Sequence, residues 1–317
     1  PDNIKIIDFA YDSKRPVSPK SNIVLLGALI LGVVVPFGCI YMYKLLNNTV
    51  NSKEDVEELV GASIAGQVPK SDSSIIEHND SSSVAEAFRI LRTNINFLLK
   101  NPKESQCIYI TSTTSGEGKS FVSTNLAQIL TMSGKSVLLI GADIRSPKVL
   151  DYLNIADQYR NHYGVTEYLI SQDNDIDHII IKQPADYKFD VVFFGQIAFN
   201  TSDLLMNGRF DDIITYAKQH YDYILVDTAP VSLVTDTLLI SENADLTLYV
   251  VRANYLDKRM LSIPKELYKE KRLKNMAMIL NDVNFSKGYG YGYGYGYGYG
   301  NNHANQFSFL KKLFKRK

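Results

Sequence analysis

The sequence predicts an α/β protein whose strands form a mainly parallel sheet. Short apolar runs typical of buried strands alternate with segments of helical character. Strands that alternate with helices are typical of a parallel sheet with right-handed crossover connections. One strand runs into a glycine-containing loop followed by a helix, and two others end in an aspartate. Open α/β sheets bind ligands at the carboxyl ends of their strands, so we expect the functional site there.

Composition sets the broad class of the protein. The 317 residues suggest one large domain plus extra segments, or two domains. Lys and Arg number 34, as do Asp and Glu, so charge gives no reason to expect a nucleic-acid partner. Cys39 and Cys107 lie far apart in apolar surroundings, which argues against a disulfide scaffold and suits a reducing compartment. The first residue is Pro1 rather than Met, so we expect the chain to be part of a longer protein.

The N-terminal part contains one candidate membrane span. Residues 1–21 are polar and contain prolines, which predicts an extended segment beside the membrane. Residues 23–43 carry no charge over 21 positions, and about 20 helical residues cross the ~30 Å hydrocarbon core. Tyr41 and Tyr43 stand where an interfacial aromatic belt is expected. We therefore predict a transmembrane helix over 22–46.

A linker and a new domain follow. Residues 51–61 resemble a short acidic helix, and residues 67–83 are rich in Ser, Asp and Asn. We predict a cytoplasmic linker over 47–80 and an α/β domain over 81–285. A helix is expected to begin near Ser82 or Ser83, because apolar residues then recur at helical spacing.

The opposite face of that helix carries three charged residues. Glu86, Arg89 and Arg92 follow an E-x-x-R-x-x-R spacing, which places them close to one side of the helix. They could form a solvated face with a local Glu–Arg pair, or a row of ion pairs between subunits. The residues alone favour the solvated face.

The central motif is the stretch 108–120, with the sequence IYITSTTSGEGKS. A strand, a glycine loop and a helix with Gly-Lys-Ser at the junction form the context of a phosphate-binding loop. Gly116 and Gly118 would let backbone N–H groups converge on phosphate oxygens, Lys119 would hold the β- and γ-phosphates, and the Ser120 hydroxyl would ligate Mg²⁺. The predicted nucleotide-binding residues of this motif are Ser115, Gly116, Glu117, Gly118, Lys119, Ser120 and Phe121. Thr113 replaces the usual first glycine, so a glycine-rich turn in an ordinary αβ unit remains the alternative.

Two acidic residues follow predicted strands. Asp143 comes just past the strand predicted over 136–140, and could hold Mg²⁺, accept a proton from an attacking hydroxyl, or simply cap a turn. Asp227 ends the apolar strand predicted over 223–227, an arrangement that places a carboxylate near Mg²⁺. We also predict strands over 191–194, 246–251 and 276–281, and helices over 121–132, 165–170 and 201–218.

The C-terminal part begins with a repeat. Tyrosine alternates with glycine in a cluster that we place at 286–300, and this composition predicts a flexible, disordered chain. The tyrosines are Tyr289, Tyr291, Tyr293, Tyr295, Tyr297 and Tyr299. They could be an aggregation-prone aromatic tract or an array of accessible phenols, each gaining about −1.5 to −2 charges if phosphorylated. The basic segment 301–317 could lie on an anionic membrane surface or be a solvated charge run.

Taken together, these motifs resemble the bacterial tyrosine kinases of the polysaccharide co-polymerase type. Lys119 and Ser120 match the Walker A motif of that family, LLIGADIR over 138–145 matches Walker A′, and ILVDTAP over 224–230 matches Walker B. The Glu86, Arg89 and Arg92 triplet matches its oligomerisation motif, which reverses the preference for a solvated face. The tyrosine cluster and the proline-containing RPVSPK segment also match.

The resemblance implies an ATP-dependent autokinase with a P-loop NTPase-like fold, with ATP and Mg²⁺ as cofactors. Lys119, Asp143 and Asp227 would be catalytic, with Ser120, Asp143 and Asp227 as metal ligands and Arg145 as a further nucleotide-binding residue. The tail tyrosines would be phosphorylated in trans within a homo-oligomeric ring. The cycle would regulate capsular or exopolysaccharide polymerisation and export, with membrane lipid, a phosphotyrosine phosphatase and the polymerisation and export machinery as partners.

The sequence departs from the family at Gly141, where the first aspartate of Walker A′ is usual, and at Ser115, where proline is common. Two other functions therefore stay open. A membrane-associated P-loop ATPase would usually carry a signature lysine at the position of Thr114, which argues against it. A non-catalytic chain-length scaffold is kept open by Gly141.

Localisation involves a conflict. Basic residues before the span slightly outnumber those after it, which favours a cytoplasmic N-terminal side. A nucleotide site needs the cytoplasm, and we give this more weight. We predict a protein of the bacterial inner membrane with its kinase domain in the cytoplasm, and with residues 1–21 outside.

Overall fold

A computed structural model describes residues 20–46, 48–77, 80–101, 104–143, 148–159, 161–171, 175–196, 201–233 and 236–284. Eight strands form one sheet: β1 Ile64–Pro69, β2 Gln106–Ser112, β3 Val137–Gly141, β4 Ile180–Ile181, β5 Asp190–Val192, β6 Tyr223–Asp227, β7 Leu246–Arg252 and β8 Met276–Val283. Their order across the sheet is β1-β8-β7-β2-β6-β3-β5-β4. Every neighbouring pair is parallel except β4 and β5.

Helices precede and cover the sheet. They are α1 Ser21–Leu46, α2 Lys53–Val60, α3 Ser83–Leu98, α4 Lys119–Met132, α5 Val149–Tyr152, α6 Ala156–Tyr159, α7 Val165–Ile170, α8 Thr201–Leu205, α9 Arg209–His220, α10 Asp236–Ile240 and α11 Ser262–Lys269. Short 3₁₀ turns occur at Ile176–Ile179, Pro184–Asp186, Ser241–Asn243 and Lys258–Leu261. Helix α1 is long and apolar enough to cross a membrane, with residues 21–42 as the candidate span.

Both faces of the sheet are buried, as parallel sheets require. Along β2, Ile108 and Ile110 pack into one cluster with α3 and α4, whereas Cys107 and Tyr109 pack into the opposite cluster with α7 and α9. This alternation follows from the two-residue period of a strand. The apolar runs that predicted strands therefore occupy the centre of the sheet, and the predicted α/β fold is confirmed.

Helix α3 begins where the sequence predicts it. The Ser82 side chain accepts a hydrogen bond from the backbone N–H of Ala85 at 3.2 Å, which caps the first turn. The predicted apolar stripe is buried at Phe88, Leu91 and Ile95 and faces the core.

The boundary drawn at residue 81 is wrong, because part of the predicted linker belongs to the folded domain. Strand β1 pairs with β8 through Ile64 and Met278, and continues to Pro69 at the edge of the sheet. Proline is tolerated there because an edge strand needs fewer backbone donors. Beyond β1, the buried Asn125 of α4 binds the Ser74 carbonyl and the Ile76 N–H at 3.0 and 2.8 Å.

Two further predictions need correction. The single helix expected over 201–218 is two helices, α8 and α9, separated at Gly208. Gly208 has φ of +81°, a left-handed conformation that interrupts an α-helix. The short antiparallel strand β4 was not predicted, since two residues are too few to show any periodicity.

The segment after α1 is joined to the rest of the domain. Val50 N donates to the Leu256 carbonyl at 2.8 Å, and Asn254 N donates to the Val50 carbonyl at 2.7 Å. Lys258 forms an ion pair with Asp55 of α2 at 2.7 Å. These contacts hold the residues that follow the candidate span against the segment between β7 and α11.

Candidate functional site

The phosphate loop lies at the carboxyl end of β2, in the centre of the sheet. It runs from Thr113 to Gly118, and α4 begins at Lys119. Gly116 and Gly118 have φ of +84° and +98°, values that favour glycine. A Cβ at Gly118 would also collide with Nδ2 of Asn281. Both glycines are therefore required by the local geometry, as the motif predicted.

Thr113, which replaces the usual first glycine, faces the protein interior. Its hydroxyl is hydrogen-bonded to the Tyr249 hydroxyl at 2.9 Å, and both side chains are fully buried. The departure from the motif is thus accommodated by a polar pair beneath the loop. The loop geometry does not depend on a glycine at this position.

Lys119, Ser120 and Asp227 come together at the carboxyl ends of the central strands. The Ser120 hydroxyl donates to Oδ2 of Asp227 at 2.6 Å, and Lys119 lies close enough to lower the pKa of Asp227 by its charge. Asp227 reaches this position because β6 lies between β2 and β3, with Asp227 level with Ile110 and Gly141. Strand order thus brings residues distant in sequence to one point.

The Asp227 carboxylate is almost completely buried, with 1% of its surface exposed. Burial raises the pKa of Asp227 to about 7, although Lys119 and the Ser120 hydroxyl oppose the shift. Within the described part of the chain, Oδ1 of Asp227 has no hydrogen-bond partner. A buried, unpaired carboxylate oxygen is costly, so its position calls for a ligand of opposite charge.

Asp143 lies close enough to Asp227 that its negative charge raises the pKa of Asp227 further. The turn that carries it is fixed by the backbone, since the N–H of Ala142 donates to the Asp227 carbonyl at 2.8 Å. Asp143 is itself buried, with 7% of its surface exposed. Two carboxylates and one ammonium group thus converge behind the phosphate loop.

The site fits the cofactors that the sequence predicted. Mg²⁺ in nucleotide sites is held by one or two protein oxygens together with phosphates and water. The Ser120 hydroxyl and the unpaired Oδ1 of Asp227 supply such oxygens, and the glycine loop supplies backbone N–H groups for phosphates. Among the described residues, no group of three or more His, Cys, Asp or Glu side chains could bind a metal by itself. A magnesium ion at this site would therefore take its other ligands from phosphate and water.

The Glu117 side chain lies beneath the loop rather than facing the nucleotide position. Its carboxylate accepts hydrogen bonds from the Thr114 N–H at 2.6 Å, the Thr114 hydroxyl at 3.2 Å and the Arg252 N–H at 3.3 Å. Burial raises the pKa of Glu117 to about 7. The side chain thus supports the loop from below, and nucleotide binding by Glu117 stays a prediction.

Three residues near the loop were missed by the sequence analysis. Arg252 ends β7, Tyr255 follows it, and Asn281 lies near the end of β8. Asn281 donates from Nδ2 to the Glu117 carbonyl at 2.9 Å. Polar residues at the ends of apolar strands were the signal that identified Asp143 and Asp227, and the same signal could have found Arg252 and Asn281.

A cleft opens beside the phosphate loop. It has a volume of about 210 Å³, and its lining includes Gly116, Gly118, Phe121, Tyr152 and Asp282. Phe121 is half-buried between Phe88 and Tyr152, with ring centroids 5.9 and 6.3 Å apart. The predicted residue Phe121 therefore faces a space next to the phosphate position.

The three charged residues of α3 lie away from this site. Glu86 and Arg89 form a surface ion pair at 3.2 Å, and Arg89 also donates to the Asp80 carbonyl at 2.6 Å. Arg92 is half-buried, and its charge opposes the rise that burial causes in the pKa of Tyr223. The local Glu–Arg pair is confirmed, and the subunit interface stays a prediction. Arg145, the tyrosine cluster Tyr289–Tyr299 and the segments 1–19 and 301–317 lie outside the described residues.

Comparison with known proteins identifies relatives of this arrangement. A family model described as an AAA domain matches residues 105–279. The chain is 30% identical over 304 residues to the putative tyrosine-protein kinase AmsA of Erwinia amylovora, a match that covers 89% of this chain and 41% of AmsA. It is 30% identical over 306 residues to the tyrosine-protein kinase etk of Escherichia coli K12, with the same 89% and 41% coverage. The chain thus spans about two fifths of the length of these curated relatives.

A solved structure shares the fold. The kinase domain of the Escherichia coli tyrosine kinase ETK matches with a TM-score of 0.66 and 29% sequence identity. The match covers 78% of this chain and 100% of that domain.

Proposed function

We propose a protein-tyrosine kinase activity for this chain, which belongs to the AAA domain family and to the bacterial tyrosine kinases. In this activity, ATP with Mg²⁺ supplies a phosphoryl group for transfer to a tyrosine hydroxyl. One observation carries the proposal: the buried Asp227 carboxylate binds the Ser120 hydroxyl with one oxygen and leaves the other unpaired behind the glycine loop. The names of the relatives support the choice of tyrosine as acceptor.

Each residue has a role that its position supports. The backbone N–H groups at Gly116 and Gly118 bind phosphate oxygens, and Lys119 neutralises charge at the β- and γ-phosphates. Ser120, Asp143 and Asp227 hold Mg²⁺ directly or through water. Asp143 accepts the proton of the incoming phenol, because a carboxylate near the site can serve as a general base.

The acceptors we propose are the tyrosines of the chain's own tail. Strand β8 ends at Val283, one residue after Asp282, which lines the cleft, and the tyrosine cluster follows a few residues later in the sequence. The glycine-rich composition predicts a root-mean-square span near 20 Å for about 12 residues, with a limit of ~40 Å. Such a tail could reach a neighbouring site, which makes transfer in trans feasible.

We further propose that the protein works at the bacterial inner membrane, with α1 as its span and the α/β domain in the cytoplasm. A ring held through Glu86, Arg89 and Arg92 would bring tails to neighbouring sites. Phosphorylated tails would repel one another and leave these sites, so the ring would separate. A phosphatase would reset the cycle, which would regulate polysaccharide polymerisation and export.

Intact-mass spectrometry tests the proposed activity. The purified protein is incubated with ATP and Mg²⁺ beside a Lys119→Met variant, and peptide mapping locates each modification. Successive additions of one phosphate at Tyr289–Tyr299, absent in the variant, are expected. ATP hydrolysis with an unchanged mass would instead support a membrane-associated ATPase. Failure to bind ATP would support a non-catalytic scaffold, a possibility raised by Gly141.

A further inference from the structure

The glycines of a phosphate loop do not by themselves fix the direction of its carbonyl oxygens. When successive N–H groups converge on phosphates, the carbonyl oxygens of the same peptides have to point elsewhere and find donors. A carbonyl oxygen that turned toward the phosphates would repel them. Groups outside the loop that bind these carbonyls would therefore hold the loop in its phosphate-binding form.

Arg252 and Tyr255 bind two such carbonyls. Nη1 of Arg252 donates to the Gly116 carbonyl at 3.1 Å, and the Tyr255 hydroxyl donates to the Ser115 carbonyl at 3.0 Å. Ser115 and Gly116 are exposed, so burial does little to fix this side of the loop. Both donors come from one short stretch at the end of β7.

The Arg252 guanidinium is oriented before it reaches the loop. Its Nε forms an ion pair with Asp282 at 2.9 Å, and its plane lies over the Tyr255 ring at 5.2 Å from the centroid. A guanidinium is a rigid planar group, so fixing one edge on Asp282 directs the other edge at Gly116. The backbone N–H of Arg252 is also held by Glu117 from below the loop.

Tyr255 is oriented by the backbone around it. Asn254 has φ of +56°, a left-handed conformation that Asn tolerates better than most residues, and it turns the chain sharply after β7. The turn is held by the hydrogen bonds of Val50 with Asn254 and Leu256. A Cβ at Gly116 would lie 3.0 Å from the Tyr255 hydroxyl, so this close approach depends on glycine.

We infer that Arg252 and Tyr255 are positioning residues that hold the phosphate loop with its N–H groups toward the nucleotide phosphates. The inference deepens the proposed function and rests on it. Neither side chain needs to touch the nucleotide, since each acts through a loop carbonyl. Their loss should weaken binding of the phosphates without changing binding of the nucleoside.

Nucleotide binding by the 317-residue chain in detergent tests this role. Tyr255→Phe and Arg252→Gln are compared with the wild type, using a fluorescent ADP analogue and displacement by ADP or adenosine. Tyr268→Phe and Arg259→Gln serve as matched controls, because these side chains are exposed and lie outside the loop contacts. KM for ATP and kcat are measured on the same proteins.

We expect each test variant to weaken ADP binding by about two- to tenfold, the effect of one lost hydrogen bond. Adenosine binding should be unchanged, and KM for ATP should rise more than kcat falls. Arg252→Lys, which keeps a charged donor, should recover part of the loss. The controls should match the wild type.

Two results would overturn the inference, and they are distinguishable from failure of the proposed function. If the wild type binds ADP and both test variants bind it equally well, the contacts do not position the loop. If ADP and adenosine lose affinity together, the contacts stabilise the domain generally. If the wild type binds ADP no better than Lys119→Met, the proposed function itself is wrong, and the inference is wrong with it.

Discussion

Replacing Asp227 by Asn should make the ligand-free protein more stable at alkaline pH while removing its ability to bind Mg²⁺ with a nucleotide. The two side chains have nearly the same shape, so the substitution changes charge more than packing. The native carboxylate is buried, one of its oxygens has no partner among the described residues, and its neighbour Asp143 is also acidic. These features raise the free energy of the ionised state.

The magnitude follows from the pKa of Asp227. Burial raises it from 3.8 to about 7, so the protonated folded state is favoured. A raised folded-state pKa contributes stability that is complete below pH 3.8 and is lost as pH rises through about 7. Each unit of pKa corresponds to about 1.4 kcal/mol, so this carboxyl should cost about 3 kcal/mol of stability between pH 5 and 7. An amide at this position does not titrate, so the Asp227→Asn variant would lack this loss.

The assay is chemical denaturation of the full chain in detergent from pH 5 to pH 8, for the wild type and Asp227→Asn. Subtracting the two curves removes the contribution of other titrating groups. Asp222→Asn is the control of opposite sign, because hydrogen bonds from the Ser136 N–H and hydroxyl hold the pKa of Asp222 below its usual range. That variant should be less stable than the wild type at neutral pH and approach it in acid.

The difference between Asp227→Asn and the wild type should grow as the pH rises. If the difference in free energy of unfolding stays constant from pH 5 to pH 8, ionisation of Asp227 does not destabilise the folded protein. The description of Asp227 as an unpaired buried anion would then be wrong. Titration calorimetry with ADP and Mg²⁺ completes the test, since the variant should lose Mg²⁺-dependent affinity.

Other parts of the fold give three further predictions. Burial raises the pKa of Glu117 to about 7, so ionisation of this side chain should cost stability as pH rises through that value. Glu117→Gln should reduce this loss by up to about 3 kcal/mol, measured by denaturant titration at several pH values. Phe88→Ala should lower the free energy of unfolding by about 3–5 kcal/mol, because the side chain is fully buried and packs against Phe121. The double substitution Arg89→Ala and Arg92→Ala should leave the protein folded but reduce the mass of its assemblies in analytical ultracentrifugation. If rings persist, α3 is not the interface.

Much of the central sheet could be predicted because its strands can be recognised from their own sequence. The apolar runs around Ile108, Leu139 and Leu225 are long enough to show burial on both faces, and Asp227 marks a strand end. Strand β1 gives no comparable signal, since Gly66 and Gln67 interrupt its apolar residues and Pro69 ends it. Its identity as a strand depends on pairing with β8, a partner more than two hundred residues away in the sequence.

The candidate site likewise contains some residues that the sequence predicts and some contacts that only the fold reveals. The positions of the motif residues, such as Lys119 and Ser120, could be predicted from their order along the chain. The contacts of Arg252 and Tyr255 could not, because they depend on where β7 ends relative to the phosphate loop. The inward orientation of Glu117 likewise depends on the donors beneath it, which come from Thr114 and β7.

Gly141 affects the electrostatic balance of the acidic site. It lies in β3 level with Asp227, and a Cβ there would sit 3.7 Å from both Val149 and the Val192 carbonyl, an ordinary contact. The backbone therefore does not require glycine at this position. A carboxylate at 141 would stand beside Asp227 and add to the repulsion that Asp143 already exerts on it. Glycine at position 141 thus lowers the electrostatic cost of the ligand-free site.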